Sequence, residues 1–352
     1  MQSSYISTMS WTLSAMKSIT SLQTQIEKKN TELATGRYAD IGLELGVKTS
    51  LSVDLRHEYN QVQGLLDSNS LTDSIMTRSQ TGLTNILNNA STYQKTLLSS
   101  QASAETVTQM QLEGQQGLAS LLSSLNTTDG TRYVFGGINS GQTPMKDFAT
   151  NAQVAIQTAF QTAFGFPVSD PQAANITSGQ MQTFLNNVFS EDNTNTSALF
   201  NDTNWAAQWS NASSTNLTRQ ISQTENVSVS TTANDTAMRK LAMAYSMMGY
   251  LGVGSLNMSA LQTVMDTSRA TLSAGMTGVT NTAAAIGVSQ TRVTTANSEL
   301  NKTLDVVKSR INSLESVDPA EAKTQLDTLT NQLSMSYSTT TKLLQLSIMN
   351  YA

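Results

Sequence analysis

The chain has 352 residues, 38% of them hydrophobic, which suffices for two or three domains with sizeable cores and excludes a disordered tail. Only 13% are charged and the net charge is -5, so nucleic acid is not an expected partner and little repulsion opposes the packing of many copies; Ser, Thr, Asn and Gln are unusually abundant instead. Cysteine is absent and His57 is the single histidine, which removes disulfides, thiolate nucleophiles and most metal or acid-base constellations: no catalytic residue, metal site or cofactor is expected, and no enzyme.

The first 17 residues lack a basic start and a continuous apolar run, so no cleaved secretory signal is expected. Ile6, Met9, Leu13, Met16, Ile19, Leu22 and Ile26 recur at spacings of three and four, which predicts an amphipathic helix whose apolar stripe needs a partner. Thr35-Gly36-Arg37-Tyr38, Gly42 and Gly46 then predict a bent connector. An apolar seam over 55–97, clearest as Leu83, Ile86, Ala90, Tyr93 and Leu97, reads as one long helix, and Val107, Met110, Gly114, Leu118, Leu121 and Leu125 as its antiparallel return.

Between 131 and 234 the heptads vanish, and Pro144, Pro167 and Pro171 appear, which marks an inserted domain of mixed α/β or β-rich character. Residues 132–135 and 227–230 read as strands, 153–164 and 181–188 as short helices. Tyr133 and Phe135, alternating with Arg132, are expected to pack at the joint between helices and domain, with Gly136 and Gly137 permitting a sharp turn. Asn234 and Asp235 cap a helix carrying Met238, Leu241, Met243 and Tyr245. The uncharged run over 241–265 is interrupted by Ser, Asn, Gln and Gly, so it reads as a buried segment and not as a membrane span.

A strict heptad seam follows at Val279, Ala283, Ile286, Gln290, Val293, Asn297, Leu300, Leu304, Val307, Ile311 and Leu314. It breaks at Asp318-Pro319-Ala320-Glu321, a cap, a first-position proline and a glutamate three after the cap. The last helix carries Ala322, Leu326, Leu329, Leu333, Tyr337, Thr340, Leu344 and Ile348.

The expected fold is mainly α: a long antiparallel helical rod with terminal coiled-coil helices and an inserted middle domain. Its parts are a terminal coiled coil (1–40 with 315–352), a helical rod (41–130 with 235–314) and a variable outer domain (131–234). Ile6, Met9, Leu13, Met16, Leu326, Leu329, Leu333, Leu344 and Ile348 are the expected assembly interface, with other copies of the chain as partners. Arg132, Tyr133, Phe135, Gly136 and Gly137 form the expected joint.

Three other clusters invite chemistry. Trp205 and Trp209, four apart and near Arg219, suit either a carbohydrate-stacking platform or the anchor of a small core, and the core is favoured. Asp54, Arg56, His57 and Glu58 point to different faces of a helix and read as solvated. Asp192 and Asp202 lack the calcium-loop spacing and read as a polar loop.

Four segments carry a resemblance. Glu32-Leu33-Ala34-Thr35-Gly36-Arg37-Tyr38 is similar to the Leu-(Ser/Ala)-(Ser/Thr)-Gly-(Lys/Arg) segment of bacterial flagellins, although Asp40-Ile41-Gly42-Leu43 departs from its acidic-pair continuation. Residues 284–293 resemble the same family's re-entry helix. Gly130-Thr131-Arg132-Tyr133-Val134-Phe135-Gly136-Gly137-Ile138-Asn139 and the Leu344 to Tyr351 ending resemble the hook-associated branch of that family, the proteins joining hook to filament. The resemblance implies an extracellular structural subunit of the flagellum, exported through the flagellar type III route without a cleaved signal. It also implies a ring or helical layer of copies, contacts with other hook-associated proteins and flagellin, an export chaperone, and no membrane or nucleic-acid partner. The alternatives are a flagellin forming the filament itself and a secreted adhesin acting through 141–233.

Overall fold

The computed structural model describes residues 8–99 and 104–349 of the chain. In chain order its helices are α1 (Thr8–Thr35), α2 (Ile41–Leu45), α3 (Thr49–Ser99), α4 (Ala104–Leu125), α5 (Ala152–Phe164), α6 (Ser178–Val188), α7 (Asp202–Gln208), α8 (Thr236–Tyr250), α9 (Met258–Glu315) and α10 (Pro319–Met349). Strands β1 (Thr218–Gln220) and β2 (Asn226–Ser228) pair antiparallel, Arg219 opposite Val227. Of the described residues 75% are helical, in line with the mainly α expectation. Contacts divide it into two compact units, 1–64 with 300–352 and 65–299. The dividing points fall inside α3 and α9.

In the first unit α1 ends where Gly36 takes φ +69 and its N–H reaches the Glu32 carbonyl, so the chain leaves the helix at the glycine-containing connector. Asp40 caps α2 by accepting from the Leu43 N–H at 3.0 Å. Helix α10 opens as its sequence requires, with Asp318 accepting from Ala320 N–H at 2.8 Å and Pro319 in first position. Gly36 and Arg37 meet residues 316 and 317 at one end of α1, and Gln23 bonds Tyr337 further along, so α1 and α10 run antiparallel.

In the second unit α8 is the centre. From Ala237 to Gly249 only Lys240 escapes burial, so this helix is enclosed on all sides. Glycines on the surrounding helices make room for it: a Cβ on Gly117 of α4 would overlap the Tyr245 ring, and one on Gly275 or Gly278 of α9 would lie 2.8 Å from Leu241 or 2.7 Å from Ala237. Helix α8 ends at Tyr250, and Asn257 caps a fresh start for α9 through the N–H groups of Ser259 and Ala260. The uncharged run over 241–265 is thus two helices with a turn between them, and no described helix is long and apolar enough to cross a membrane.

Residues 131–234 share one continuous apolar core with these helices. Helices α5 and α6 form where 153–164 and 181–188 predict them. Residues 132–135 do not form a strand: Tyr133 and Gly136 make isolated bridges to Thr128 and Thr232, and the backbone between them turns. The alternation read there as strand periodicity is a turn with one ring inward. The strand expected at 227–230 is the shorter β2, so the middle segment is helical with a small hairpin and not β-rich.

Gly64 on α3 faces open space, whereas Gly117 faces a ring. Gly117→Ala should therefore cost about 1–3 kcal/mol by overpacking, while Gly64→Ala should add roughly 0.5–1 kcal/mol by restricting the unfolded chain. Urea unfolding of the two variants beside the parent measures both signs.

Candidate assembly surface

The terminal helices carry two sets of apolar residues. One is engaged within the chain: Ile19, Leu22 and Ile26 of α1 and Leu326, Leu329 and Leu333 of α10 are half-buried, Leu333 in a groove of about 430 Å³ with Ile26, Asn30 and Ala34. The Gln23 amide donates to the Tyr337 hydroxyl at 2.9 Å across the pair. The other set is uncovered: Trp11, Leu13 and Met16 in the first turns of α1 are 55%, 59% and 59% exposed, and Met335 and Leu344 stand open on α10. The structure thus separates the expected interface residues. Leu326, Leu329 and Leu333 belong to the intrachain pair, while Leu13, Met16 and Leu344 remain available. Ile6 and Tyr351 lie outside the described residues, and Met9 and Ile348 are described in their helical backbone alone.

The connector adds a surface that periodicity did not reveal. Leu43, Val47, Leu51 and Val53 are exposed, Val47 at 96%, on a stretch of α2, a 3-10 turn and the start of α3. Spacing of four at 43, 47 and 51 was the available signal; the intervening glycine obscured it.

Behind that surface lies a buried carboxylate. Glu315, the last residue of α9, is fully buried; Ser52 donates to its Oε1 at 2.5 Å, and Arg56 donates from Nε at 2.8 Å and from Nη2 to Oε2 at 2.5 Å. Arg37 approaches Oε2 at 3.6 Å, and the Glu315 carbonyl accepts from Tyr38 N–H at 3.0 Å. The bidentate fork of Arg56, then Ser52 and Arg37, hold the Glu315 carboxyl below the usual range against the opposing effect of burial. Glu32 makes a second clasp, bonding Lys29 at 2.7 Å and the Ala39 N–H at 3.3 Å. Of the cluster read as solvated, Arg56 is therefore a tie between helices, while Asp54 and His57 are exposed. Ser52 and Arg56, one helical turn apart opposite a glutamate that ends a heptad seam, were the overlooked signal.

In the second unit the Arg132 to Gly137 turn gathers three chain passages. The Phe135 ring is buried against Gly82 of α3, where a Cβ would come within 2.8 Å. The Phe135 carbonyl accepts from Ala233 N–H at 2.9 Å, Gly136 O from Ser213 N–H at 3.0 Å, and Ile138 N–H reaches Thr215 O at 3.1 Å. Gly137 has φ +60, and a side chain there would strike the carbonyl oxygens of Ser213 and Thr215. Arg132 is exposed; Tyr133 is half-buried, and its hydroxyl accepts from Thr143 at 3.1 Å. Of the two rings Phe135 alone is a full core residue.

Trp205 and Trp209 stack at 5.1 Å, both buried, with Arg239 and not Arg219 over Trp205 and with Asn234 accepting from its indole N–H. They form a core and offer no platform. Asp192 and Asp202 serve as turn and ion-pair groups, to Thr194 and to Arg239 at 2.7 Å. Among the described residues no cluster of three His, Cys, Asp or Glu is placed to hold a metal.

Glu315 has its native pKa lowered, so its contribution to stability is complete above the unfolded value of about 4.3 and is lost as pH falls through the lowered native value. Glu315→Gln should cost about 1–3 kcal/mol at neutral pH, and its gap from the parent should close as the medium is acidified below that range. Hydrogen exchange at the Tyr38 amide, read at both pH values, measures the loss where it occurs.

With the geometry in place, comparison with known proteins is informative. The model of the bacterial flagellin N-terminal helical region matches residues 6–140, and that of the C-terminal helical region matches residues 270–352. No curated protein matches the sequence. Among solved structures, a provisionally assigned flagellar hook-associated protein from Vibrio parahaemolyticus superposes with a TM-score of 0.52 at 9% identity, over 76% of this chain and 97% of that one, a likeness of fold.

Proposed function

We propose that this chain, which belongs to the bacterial flagellin family, is a junction subunit of the hook-associated protein 3 kind, seated between hook and filament. Family membership makes it a structural, non-enzymatic subunit of the flagellum, assembling with copies of itself and other flagellar components outside the cell. The junction assignment rests on one observation, the turn at Gly130 to Asn139. Its sequence resembles the hook-associated branch, and its backbone ties the end of α4 to both 213–215 and 231–233. The fold likeness to the Vibrio parahaemolyticus protein supports the same reading.

The reading assigns the exposed faces of α1 and α10, with Leu13, Met16 and Leu344, to neighbouring subunits, and Arg132, Tyr133, Phe135, Gly136 and Gly137 to the joint with the outer domain, 131–234. Export by the flagellar type III route, with a dedicated chaperone, completes it.

Electron microscopy of a strain lacking the gene should show hooks without filaments and flagellin shed into the medium, and the purified chain should not polymerise into long filaments. Filaments still attached in the deletion strain would overturn the junction role, and long filaments grown from this chain alone would establish it as the filament flagellin instead. Leu333→Asp places a carboxylate in the α1–α10 groove and should abolish filament attachment, because burying an unpaired charge costs several kcal/mol or parts the helices. The 65–299 unit should melt as before, which thermal unfolding followed at Trp205 and Trp209 fluorescence checks.

A further inference from the structure

We propose that the groove between α5 and α6 is a binding site for an uncharged oligosaccharide, a function separate from assembly and independent of the junction reading. The groove encloses about 940 Å³, at the upper end of the roughly 300–1,000 Å³ typical of ligand sites. No residue lining it is charged. About half of the lining carries a hydroxyl or amide, and the remainder is aliphatic, aromatic or glycine.

Those two halves select the ligand. The Asn187 and Gln208 amides and the Thr158 hydroxyl stand in the groove without a hydrogen-bond partner in the protein. An acyl chain or apolar peptide would strip water from them and return nothing, at the cost that attends every unpaired polar group. A phosphate, carboxylate or ammonium would lose its own hydration and meet no opposite charge. An uncharged sugar offers hydroxyls for the amides and a C–H face for a ring. Phe164 supplies that ring: it is half-buried at the groove and held from behind by Phe160 at 4.7 Å and Phe184 at 5.2 Å. The far wall is also fixed, since the Asn204 amide donates to the Ala198 carbonyl at 2.8 Å and to Thr196 at 3.2 Å. The site is preformed, so binding need not order a loop.

Carbohydrate chemistry in the middle segment was first suggested by Trp205 and Trp209, which the structure places in the core. The groove beside them is built from residues with no motif: small side chains on α5 that leave space, and amides on α6 and α7 that face it.

The test is titration calorimetry of the full chain with maltotriose and N,N′,N″-triacetylchitotriose, alongside sialyllactose as a charged sugar and decanoate as an apolar ligand. At least one neutral trisaccharide should bind saturably. The Asn187→Ala, Gln208→Ala double variant should bind it about tenfold more weakly or worse, the loss of about 1.4 kcal/mol. Ala159→Trp, which fills the groove, should abolish binding; if circular dichroism shows that variant misfolded, the double variant decides. Binding of neither neutral sugar, preference for decanoate or sialyllactose, or unchanged affinity in the double variant would overturn the proposal. Filament attachment should be unaffected by the double variant, so this result and the junction test fail separately.

Discussion

A long apolar heptad seam specifies that two helices pair but not where. Sliding one by a heptad returns leucines and valines to equivalent holes. The register of α3 against α9 is set by the polar members of the seam. In one unit Glu315 takes the Arg56 fork and the Ser52 hydroxyl; in the other the Asn69 amide donates to Asn297 at 2.7 Å and to the Ile221 carbonyl at 2.9 Å, and Gln80 reaches the Ala283 carbonyl at 2.6 Å. A slip would leave a carboxylate buried without its guanidinium and an amide without its acceptor. Each error costs more than the apolar contacts distinguish.

Other features depend on that register. Gly82 must lie opposite Phe135 for the ring to be buried, and Gly275 and Gly278 must lie opposite Leu241 and Ala237 for α8 to approach α9 closely. Glycine in a helix is weakly destabilising. Here it removes the Cβ that would hold a neighbouring helix or ring away, and packing contacts offset the propensity lost. The same device lets Tyr245 lie on Gly117, its ring tilted against that of Tyr93 at 5.1 Å.

The apolar periodicity of the long helices was legible in the sequence, as was the Asp318-Pro319 start of α10. Every member of the seam from Val279 to Leu314 is buried or half-buried, because spacing of three and four survives in a helix whatever packs on it. Hydropathy does not reveal that Ser52, Asn69, Thr72 and Ser79 are buried; Ser52 and Asn69 are accommodated by partners distant in sequence, Glu315 and Asn297. Glu315 was hidden for the same reason, as was the groove between α5 and α6. The misread strand at 132–135 has a different cause. Alternation of two rings and two other residues is common to strands and to turns, and the deciding facts, the positive φ of Gly137 and the carbonyls of Ser213 and Thr215, lie about 80 residues away in part.

For a subunit that assembles, the clasp around Glu315 also has a bearing on association. Leu43, Val47 and Leu51 are exposed on a connector that contains Gly36, Gly42 and Gly46, so a free connector would lose much conformational freedom on docking. Arg37 and Tyr38 are bound to Glu315, Ala39 to Glu32, and Asp40 caps α2, so four successive residues ahead of the apolar stretch are fixed before any neighbour arrives. Ordering cost is then met in folding and does not weaken association. The low charge of the chain works in the same direction, since neighbouring copies bring few ions that must be desolvated or paired. The exposed apolar residues of the connector therefore sit on a segment that is held before any neighbour arrives, and a buried glutamate at the end of the longest described helix is what holds it.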